Sequence, residues 1–271
     1  IPHVEAVMRL RDGYSGQALY IYQQQEMFKW CEDSKDVIDS VLTDYFSFLF
    51  EYPNQTSLIL SLSNNEVSAI NQEIQETLKK LKRISGSGYQ ISSTDCSSRD
   101  PETINLYVGD KISFRKNDKK RDFEVKNGKG EVVDFMIANR TPGVIEKIVS
   151  LADGSYDLHV RLTGDNSDLT TIVNTKKYIY EDNFSVPIVL NYAMSIYSSQ
   201  GQTVDKVYLI DGKQMHRRYS YVACSRHRRE MKIYFNKSEL FNRYMLSSQK
   251  KNYKEEDIAK EKAKFKLSDY L

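Results

Sequence analysis

The chain carries the stretch YAMSIYSSQGQTVDKVYLI at residues 192–210, followed by YVACSRHR at residues 221–228. The apolar run at 206–210 predicts a strand, and the spacing of apolar side chains predicts helical stretches at 191–199 and 215–227. Helices that alternate with apolar strands are typical of domains in which helices cover a largely parallel sheet. This part of the chain therefore predicts an α/β fold.

Upstream of this stretch, the sequence continues the same alternation. Residues 35–52 carry apolar side chains at helical spacing and end before Pro53, which predicts a helix. The run 57–62 predicts a strand, and Ser63 with Glu66 three residues on is a capping box, which predicts that a helix follows. The same criteria predict helical pieces at 4–10 and 18–30, a loop at 85–98, strands at 186–190 and 231–235, and a charged helix and tail at 239–271.

Between residues 104 and 180 the pattern changes to short strands. Turn signals of the Asn-Gly, Pro-Gly and Asp-Gly type separate these strands at hairpin-like intervals. The strands are predicted at 104–108, 111–114, 130–136, 143–149, 156–162 and 170–173. The simplest interpretation is a small all-β module inserted into the α/β fold.

Charge and cysteine content narrow the class of protein. The chain has 39 Lys plus Arg against 37 Asp plus Glu, but eight basic residues cluster at 111–129 and seven at 213–232. A local basic cluster is a better indication of a nucleic-acid partner than the small net charge. Three widely spaced cysteines, no apolar run of membrane-spanning length and no secretory signal predict a soluble, cytoplasmic protein.

The order and spacing of the quoted motifs resemble motifs V and VI of superfamily 1 helicases. The Ser-Gln-Gly-x-Thr-Val-Asp form at 199–205 is similar to that of superfamily 1B enzymes of the RecD and conjugative relaxase-helicase type. Residues 60–80 resemble motif IV of these helicases. Residues 109–112 resemble the start of the family's β insertion, and 139–145 resemble a turn of it, with Arg140 where glycine is usual.

The resemblance implies an α/β, RecA-like (P-loop NTPase-type) second helicase domain. A small SH3-like β-barrel insertion interrupts it, and a helical N-terminal connector precedes it. In this sequence the implied layout is a connector at 1–52, a discontinuous RecA-like domain at 53–107 and 183–247, an insertion at 108–182, and a charged C-terminal tail at 248–271.

Arg226 is the candidate catalytic residue. The resemblance implies that it is an arginine finger, which stabilises the charge that develops on the terminal phosphate of ATP. On a helix, Tyr219, Val222 and Ala223 would share its face, so that they pack while the guanidinium reaches a domain interface. Read without the family, the basic residues here are a solvated turn.

The loop before the strand predicted at 206–210 is the candidate nucleotide sensor. The resemblance implies that Gln200 and Gly201 contact nucleotide together with Arg226, and that Ser195 contacts a DNA phosphate through its hydroxyl. Tyr197 and Ser198 stand where the family usually has His-Lys. Tyr197 can stack on a base, but the lysine charge is missing.

Further nucleic-acid contacts are predicted outside this loop. Ser63 and Asn64 begin a helix, and N–H groups at a helix N-terminus favour phosphate, although capping explains both residues equally well. Arg228 is a further predicted nucleic-acid contact. The basic run 115–121, interleaved with Phe114 and Phe123, could follow a DNA backbone or could be a solvated hairpin. The four histidines show no ligand spacing, so no metal site is predicted.

The sequence lacks a Walker loop: Gly128-Lys129 is followed by Gly130, and Gly212-Lys213 by Gln214. We therefore expect no ATP hydrolysis by this chain alone. We expect ATP and Mg²⁺ to bind only when an N-terminal RecA-like domain of the same polypeptide is present. The expected partners are that domain and single-stranded DNA, with no membrane and a monomeric state. The alternative is a non-motor DNA-binding or scaffold module derived from a helicase domain. A hydrolase unrelated to helicases has no nucleophile motif to support it.

Overall fold

The computed structural model describes residues 2–94, 96, 100–119, 123–211 and 217–247. By its contacts the chain forms two compact units: the first takes residues up to 67 and from 194 onward, and the second takes 68–193. In chain order the elements are α1 (Pro2–Asp12), α2 (Ser15–Gln24), β1 (Phe28–Cys31), α3 (Ser34–Glu51), β2 (Ser57–Ser61), α4 (Asn64–Lys80), β3 (Ser85–Ser93), β4 (Glu102–Val108), β5 (Lys111–Phe114), β6 (Val125–Lys126), β7 (Val132–Val133), β8 (Pro142–Ser150), β9 (Tyr156–Leu162), β10 (Thr170–Asn174), β11 (Ile188–Leu190), β12 (Ala193–Ser195), β13 (Val204–Asp211), α5 (Arg217–Cys224), β14 (His227–Asn236) and α6 (Lys237–Ser247).

The first unit is built on a five-stranded sheet in the order β1-β14-β13-β2-β12. The pairs β1–β14, β13–β14 and β13–β2 are parallel. All five residues of β2 are buried, as expected for a central strand of a parallel sheet covered on both faces. The predicted α/β fold with a parallel sheet is confirmed.

Helices cover both faces of this sheet. On one face, Leu58, Leu209 and Ile233 join an apolar cluster whose helical members include Leu10 of α1 and Ala223 of α5. On the other face, α3 packs through Tyr45, whose ring lies 6.1 Å from that of Tyr208. Because successive side chains of a strand point to opposite faces, an uninterrupted apolar strand requires both layers of helix.

Helix α3 illustrates why the sequence folds as it does locally. The Asp33 side chain accepts a hydrogen bond from the Asp36 N–H at 2.9 Å, which caps the helix. The helix ends at Glu51, just before Tyr52 and Pro53, where the ring of proline disfavours helical conformation in the preceding residue. This agrees with the helix predicted at 35–52.

The second unit is rich in antiparallel strands. Seven of them form one sheet in the order β11-β5-β8-β9-β10-β6-β7, and β3 with β4 forms a separate two-stranded sheet. The short strands predicted between 104 and 180 are present, although the one predicted at 130–136 is reduced to Val132–Val133. The prediction of a loop at 85–98 is wrong over Ser85–Ser93, because this Ser- and Gly-rich segment forms strand β3 and pairs with β4.

Two helix predictions in the first unit are also wrong. The sequence predicts a helix at 18–30, but α2 ends at Gln24 and residues 28–31 form β1. There Trp30 stacks on Phe235 at 4.6 Å, so pairing with β14 overrides the local helical pattern. The second error is the helix predicted at 191–199, where the structure has β12 followed by turns.

The boundary between the units differs from the predicted domain boundary. Strand β11 pairs with β5 through Ile188–Phe114 and Leu190–Ile112, so it lies in the second unit. The sequence places the return to the α/β domain at 183, and it assigns 68–107 to that domain as well. The division into connector, RecA-like domain, insertion and tail stays a prediction, and the tail at 248–271 lies outside the described residues.

Candidate functional site

The carboxyl end of β2 leads into α4 through a hydrogen-bonded turn. The Glu66 N–H donates to Ser63 Oγ at 3.3 Å, as the predicted capping box requires. The Glu66 carboxylate does not return to the Ser63 N–H; it accepts from the Ser61 hydroxyl, whose oxygen accepts from the Ser63 N–H at 3.0 Å. Burial raises the pKa of Glu66 and nearby Glu239 adds to this, while the bond from Ser61 opposes it. Ser63 and Asn64 thus lie at a helix start that already has a carboxylate beside it.

The loop after β12 begins beside this turn. The Ile196 N–H donates to the Ser61 carbonyl at 3.0 Å, which joins the ends of β12 and β2. Ser195 Oγ donates to Ser198 Oγ at 2.9 Å and accepts from the Ser198 N–H at 3.2 Å. Ser195 and Ser198, both predicted nucleic-acid contacts, therefore form one small turn, and Tyr197 between them is 64% exposed.

Gln200 and Gly201 end this loop in a second turn. Gly201 has φ +92°, a left-handed conformation that favours glycine. A Cβ at this position would meet nothing within 4 Å, so the backbone angle and not space calls for glycine. The Gln202 N–H donates to the Ser199 carbonyl at 3.0 Å, and the chain then enters β13.

Arg226 lies past the end of α5, not on it. The sequence predicts a helix at 215–227, but α5 ends at Cys224 and β14 begins at His227. The prediction that Arg226 shares a helical face with Val222 and Ala223 is therefore wrong. The competing interaction is strand pairing, because the Val204 N–H donates to the Arg226 carbonyl at 2.9 Å as β13 and β14 begin. Arg226 therefore lies in the loop between α5 and β14.

The guanidinium of Arg226 connects the two motifs. Its Nε donates to the Val222 carbonyl at 2.9 Å, its Nη1 to the Gln202 carbonyl at 3.2 Å, and its Nη2 to Ser225 Oγ at 2.8 Å. Burial lowers the pKa of this half-buried group, and Tyr221 acts in the opposite direction. All three acceptors are neutral oxygens, so none of these hydrogen bonds neutralises the positive charge.

Asp205 is a site residue to which the sequence analysis gives no role. Its carboxylate accepts from the backbone N–H and the hydroxyl of Thr56, both at 2.8 Å, and lies 3.6 Å from Arg229 Nε. Burial alone would raise its pKa, but the Thr56 hydrogen bonds and the charges of Arg229 and Arg228 lower it overall. Asp205 therefore ties the amino ends of β13 and β2 together, next to the Gln202–Arg226 contact.

The predicted site residues consequently form two groups within the first unit. One group lies at the carboxyl ends of β2 and β12 and comprises Ser63, Asn64, Ser195, Tyr197 and Ser198. The other lies at the amino ends of β13 and β14 and comprises Gln200, Gly201, Arg226 and Arg228. The loop 196–203 links them.

A buried polar network in the second unit was not predicted. Asp110 is fully buried, and it accepts from Gln75 Nε2 at 2.7 Å, the Tyr107 N–H at 2.8 Å and the Tyr192 hydroxyl at 2.7 Å. Burial raises the pKa of Asp110 to about 6 even though these three bonds oppose the rise. Asn71 of α4 bonds to the backbone of Tyr192 and Ala193. The second unit therefore holds the start of the 192–210 motif.

The remaining predictions concern charge and metal. In the basic run, Lys116 Nζ donates to the Ile179 carbonyl at 2.7 Å, while residues 120–122 lie outside the described part of the chain. Within the described ranges, no group of three or more His, Cys, Asp or Glu is placed to hold a metal ion. No helix in the same ranges is long and apolar enough to cross a membrane.

Sequence comparison finds relatives among conjugal transfer proteins. No family model matches the chain. The conjugal transfer protein TraA of Agrobacterium fabrum is 29% identical over 213 residues, which is 78% of this chain and 16% of that protein. The conjugal transfer protein TraA of Rhizobium radiobacter is 26% identical over 181 residues, 67% of this chain and 14% of that protein. The chain thus spans less than a fifth of either relative.

Comparison with solved structures finds Pif1 helicases. The Candida albicans Pif1 helicase has a TM-score of 0.44 at 19% identity, over 79% of this chain and 57% of that one. Bacteroides Pif1 bound to single-stranded DNA has a TM-score of 0.45 at 16% identity, over 94% and 54%. These scores are too low to establish a shared fold by themselves.

The chain is thus similar in sequence to conjugal transfer proteins named TraA. This is the class that the motif resemblance predicts.

Proposed function

We propose that this chain is the second motor domain of an ATP-dependent DNA helicase or translocase that acts in conjugal transfer. Its first unit would be the RecA-like domain, and the antiparallel strands of its second unit the SH3-like insertion. The ATP- and Mg²⁺-binding half would be an N-terminal RecA-like domain of the same polypeptide. Support for the conjugal role comes from the TraA relatives, of which this chain spans a small part.

The observation that carries the proposal is the charge of Arg226, which has no ion-pair partner among the residues that the structure describes. Its three described hydrogen bonds all go to neutral oxygens and use three of the five N–H donors of a guanidinium. A half-buried charge without a counter-charge is costly, and it is tolerated where an anion completes the site. The phosphates of a nucleotide bound by a facing domain would supply that anion.

The geometry of the loop suits this task. Arg226 is held by the Gln202 and Val222 carbonyls, so its guanidinium is oriented before nucleotide arrives. Such preorganisation is what makes an electrostatic contact effective in a transition state. Because Arg226 also bonds to the loop that carries Gln200 and Gly201, a change in this loop on nucleotide binding would be transmitted to Ser195 and Tyr197 at the other edge of the sheet.

Single-stranded DNA would bind at the carboxyl edge of the sheet. The hydroxyl groups of Ser63, Ser195 and Ser198 and the amide of Asn64 offer neutral phosphate contacts. Arg228, the other predicted nucleic-acid contact, lies at the opposite edge of the sheet and is not part of this surface. Tyr197, with 64% of its side chain exposed, would stack on a base. A polar and aromatic surface of this kind binds a strand with little sequence preference.

We expect Tyr197→Ala to weaken binding of this chain to a fluorescent oligo-dT about tenfold, since base stacking on an aromatic side chain contributes about 1–3 kcal/mol. The slope of log Kd against log salt should not change, because tyrosine carries no charge. The measurement is fluorescence anisotropy over a salt series. Phe184→Ala is the matched control, because Phe184 is a 79% exposed aromatic in the second unit. Equal affinity for wild type and Tyr197→Ala would rule out the stacking contact.

The alternative is a non-motor DNA-binding or scaffold module that kept the fold. Two observations favour it: the Ser195 hydroxyl is engaged with Ser198, and the usual His-Lys pair is replaced by Tyr197-Ser198. The two functions differ in whether the same polypeptide carries a Walker loop. A Walker loop upstream of residue 1 favours the motor, and a polypeptide without one favours the module.

A further inference from the structure

We propose that Asn71 is a positioning residue for the DNA-contacting segment that begins at Ser195. Its Oδ1 accepts from the Tyr192 N–H at 3.0 Å and the Ala193 N–H at 2.8 Å, and its Nδ2 donates to the Ala193 carbonyl at 2.9 Å. Asn71 is itself buried, with 7% exposure. All three bonds lie within the second unit.

The arrangement substitutes a side chain for a strand partner. A side-chain amide offers a carbonyl oxygen and an N–H, as a peptide group does, and Asn71 uses both on the backbone of Ala193. Strand β12 has three residues, and Ala193 is the first of them. So short a strand gains little from ladder hydrogen bonds alone, so its position depends on what holds its ends.

The other end of β12 is held by the backbone. The Ile196 N–H donates to the Ser61 carbonyl at 3.0 Å. Ser195 therefore lies between two fixed points, two residues after Ala193 and one before Ile196. Asn71 does not touch DNA in this account; it acts through the chain. The role in DNA binding rests on the proposed function, whereas the anchoring of β12 does not.

Hydrogen exchange tests the anchoring without DNA. We expect Asn71→Ala to speed exchange of the Tyr192, Ala193 and Ile196 amides about tenfold or more, because the segment then opens locally. Ser93→Ala is the matched control, because Ser93 Oγ also donates a buried hydrogen bond to a backbone carbonyl of the second unit, that of Ile188 at 2.6 Å. This variant should leave the Ile196 amide protected from exchange. Unchanged protection of Ile196 in folded Asn71→Ala would overturn the proposal.

Asn71→Asp adds a readout that a purely structural role would not move. The carboxylate can still accept from the two N–H groups, but it has no hydrogen to donate to the Ala193 carbonyl until it is protonated. In the variant, affinity for oligo-dT relative to wild type should fall about tenfold at pH 8. It should recover as the pH falls through the pKa of the introduced carboxyl group, which burial raises, at pH values where circular dichroism shows both proteins folded. A pH-independent ratio would count against positioning. If wild type itself does not bind oligo-dT, the proposed DNA function fails, and the exchange experiment still decides the role of Asn71.

Discussion

Replacing Arg226 with alanine is expected to lower the kcat of ATP hydrolysis about 10³-fold or more in the polypeptide that joins this chain to a Walker-type domain. An arginine supplied to the transferring phosphate from a second domain contributes this order of rate enhancement. The guanidinium is held by the Gln202 and Val222 carbonyls, so lysine, which lacks the planar fork, should not restore the rate. Steady-state hydrolysis at saturating ATP and DNA measures the effect.

The control for this prediction is Arg161→Ala. Arg161 pairs with Glu146 on the surface of the second unit and has no part in the site, so its removal should leave kcat unchanged. Circular dichroism checks that both variants are folded. ATP hydrolysis by Arg226→Ala at the wild-type rate would rule out Arg226 as an arginine finger. Arg226 would then be a structural link between the Gln202 loop and the end of α5.

Asp110→Ala is expected to destabilise the second unit by about 3–5 kcal/mol. The change leaves the Gln75 amide, the Tyr107 N–H and the Tyr192 hydroxyl without their buried acceptor, and each such loss costs about 1–3 kcal/mol. Urea unfolding at pH 7, followed by circular dichroism, measures it. Asp168→Ala, an exposed aspartate of the same unit, should unfold as wild type does. If Asp110→Ala lowers the free energy of unfolding by less than about 1 kcal/mol, the network contributes little to stability.

The same residue gives a pH dependence of defined sign. The pKa of Asp110 is raised to about 6 from 3.8, so the folded state holds a proton that the unfolded state releases. Its contribution to stability is therefore fully present below pH 3.8 and is lost as the pH rises through about 6. Wild type should lose stability relative to Asp110→Asn across this window, by an amount on the order of 2–3 kcal/mol. A parallel pH dependence in the two proteins would contradict a raised pKa.

Much of the first unit could be predicted because its elements have strong local patterns. Helix α3 has an apolar stripe, a capping aspartate and a proline just past its end, and β2 and β13 are continuous apolar runs. Strands β1 and β12 could not be predicted in this way. Residues 28–31 become a strand only because they pair with β14, and Ala193 begins one where Asn71 meets its backbone.

The candidate site was only partly predictable for the same reason. Motif spacing indicates Gln200, Gly201 and Arg226 as residues of one site, but it does not show that Arg226 lies beyond α5, because pairing of His227 with Val204 determines where the helix ends. Asn71 has a polar side chain with no distinctive spacing, while Asp205 and Asp110 lie in recognisable motifs that do not reveal their roles. Their roles depend in part on distant partners, such as Thr56, 149 residues from Asp205, and Gln75, 35 residues from Asp110. A buried polar residue of this kind is recognised only when its partners are known.

Steady-state ATP hydrolysis with and without single-stranded DNA tests the central claim most directly. It should be measured on this chain alone and on the polypeptide in which a Walker-type domain precedes it. We predict no hydrolysis by this chain alone and DNA-stimulated hydrolysis by the joined polypeptide. Hydrolysis by this chain alone, or hydrolysis by the joined polypeptide that DNA does not change, would contradict this prediction.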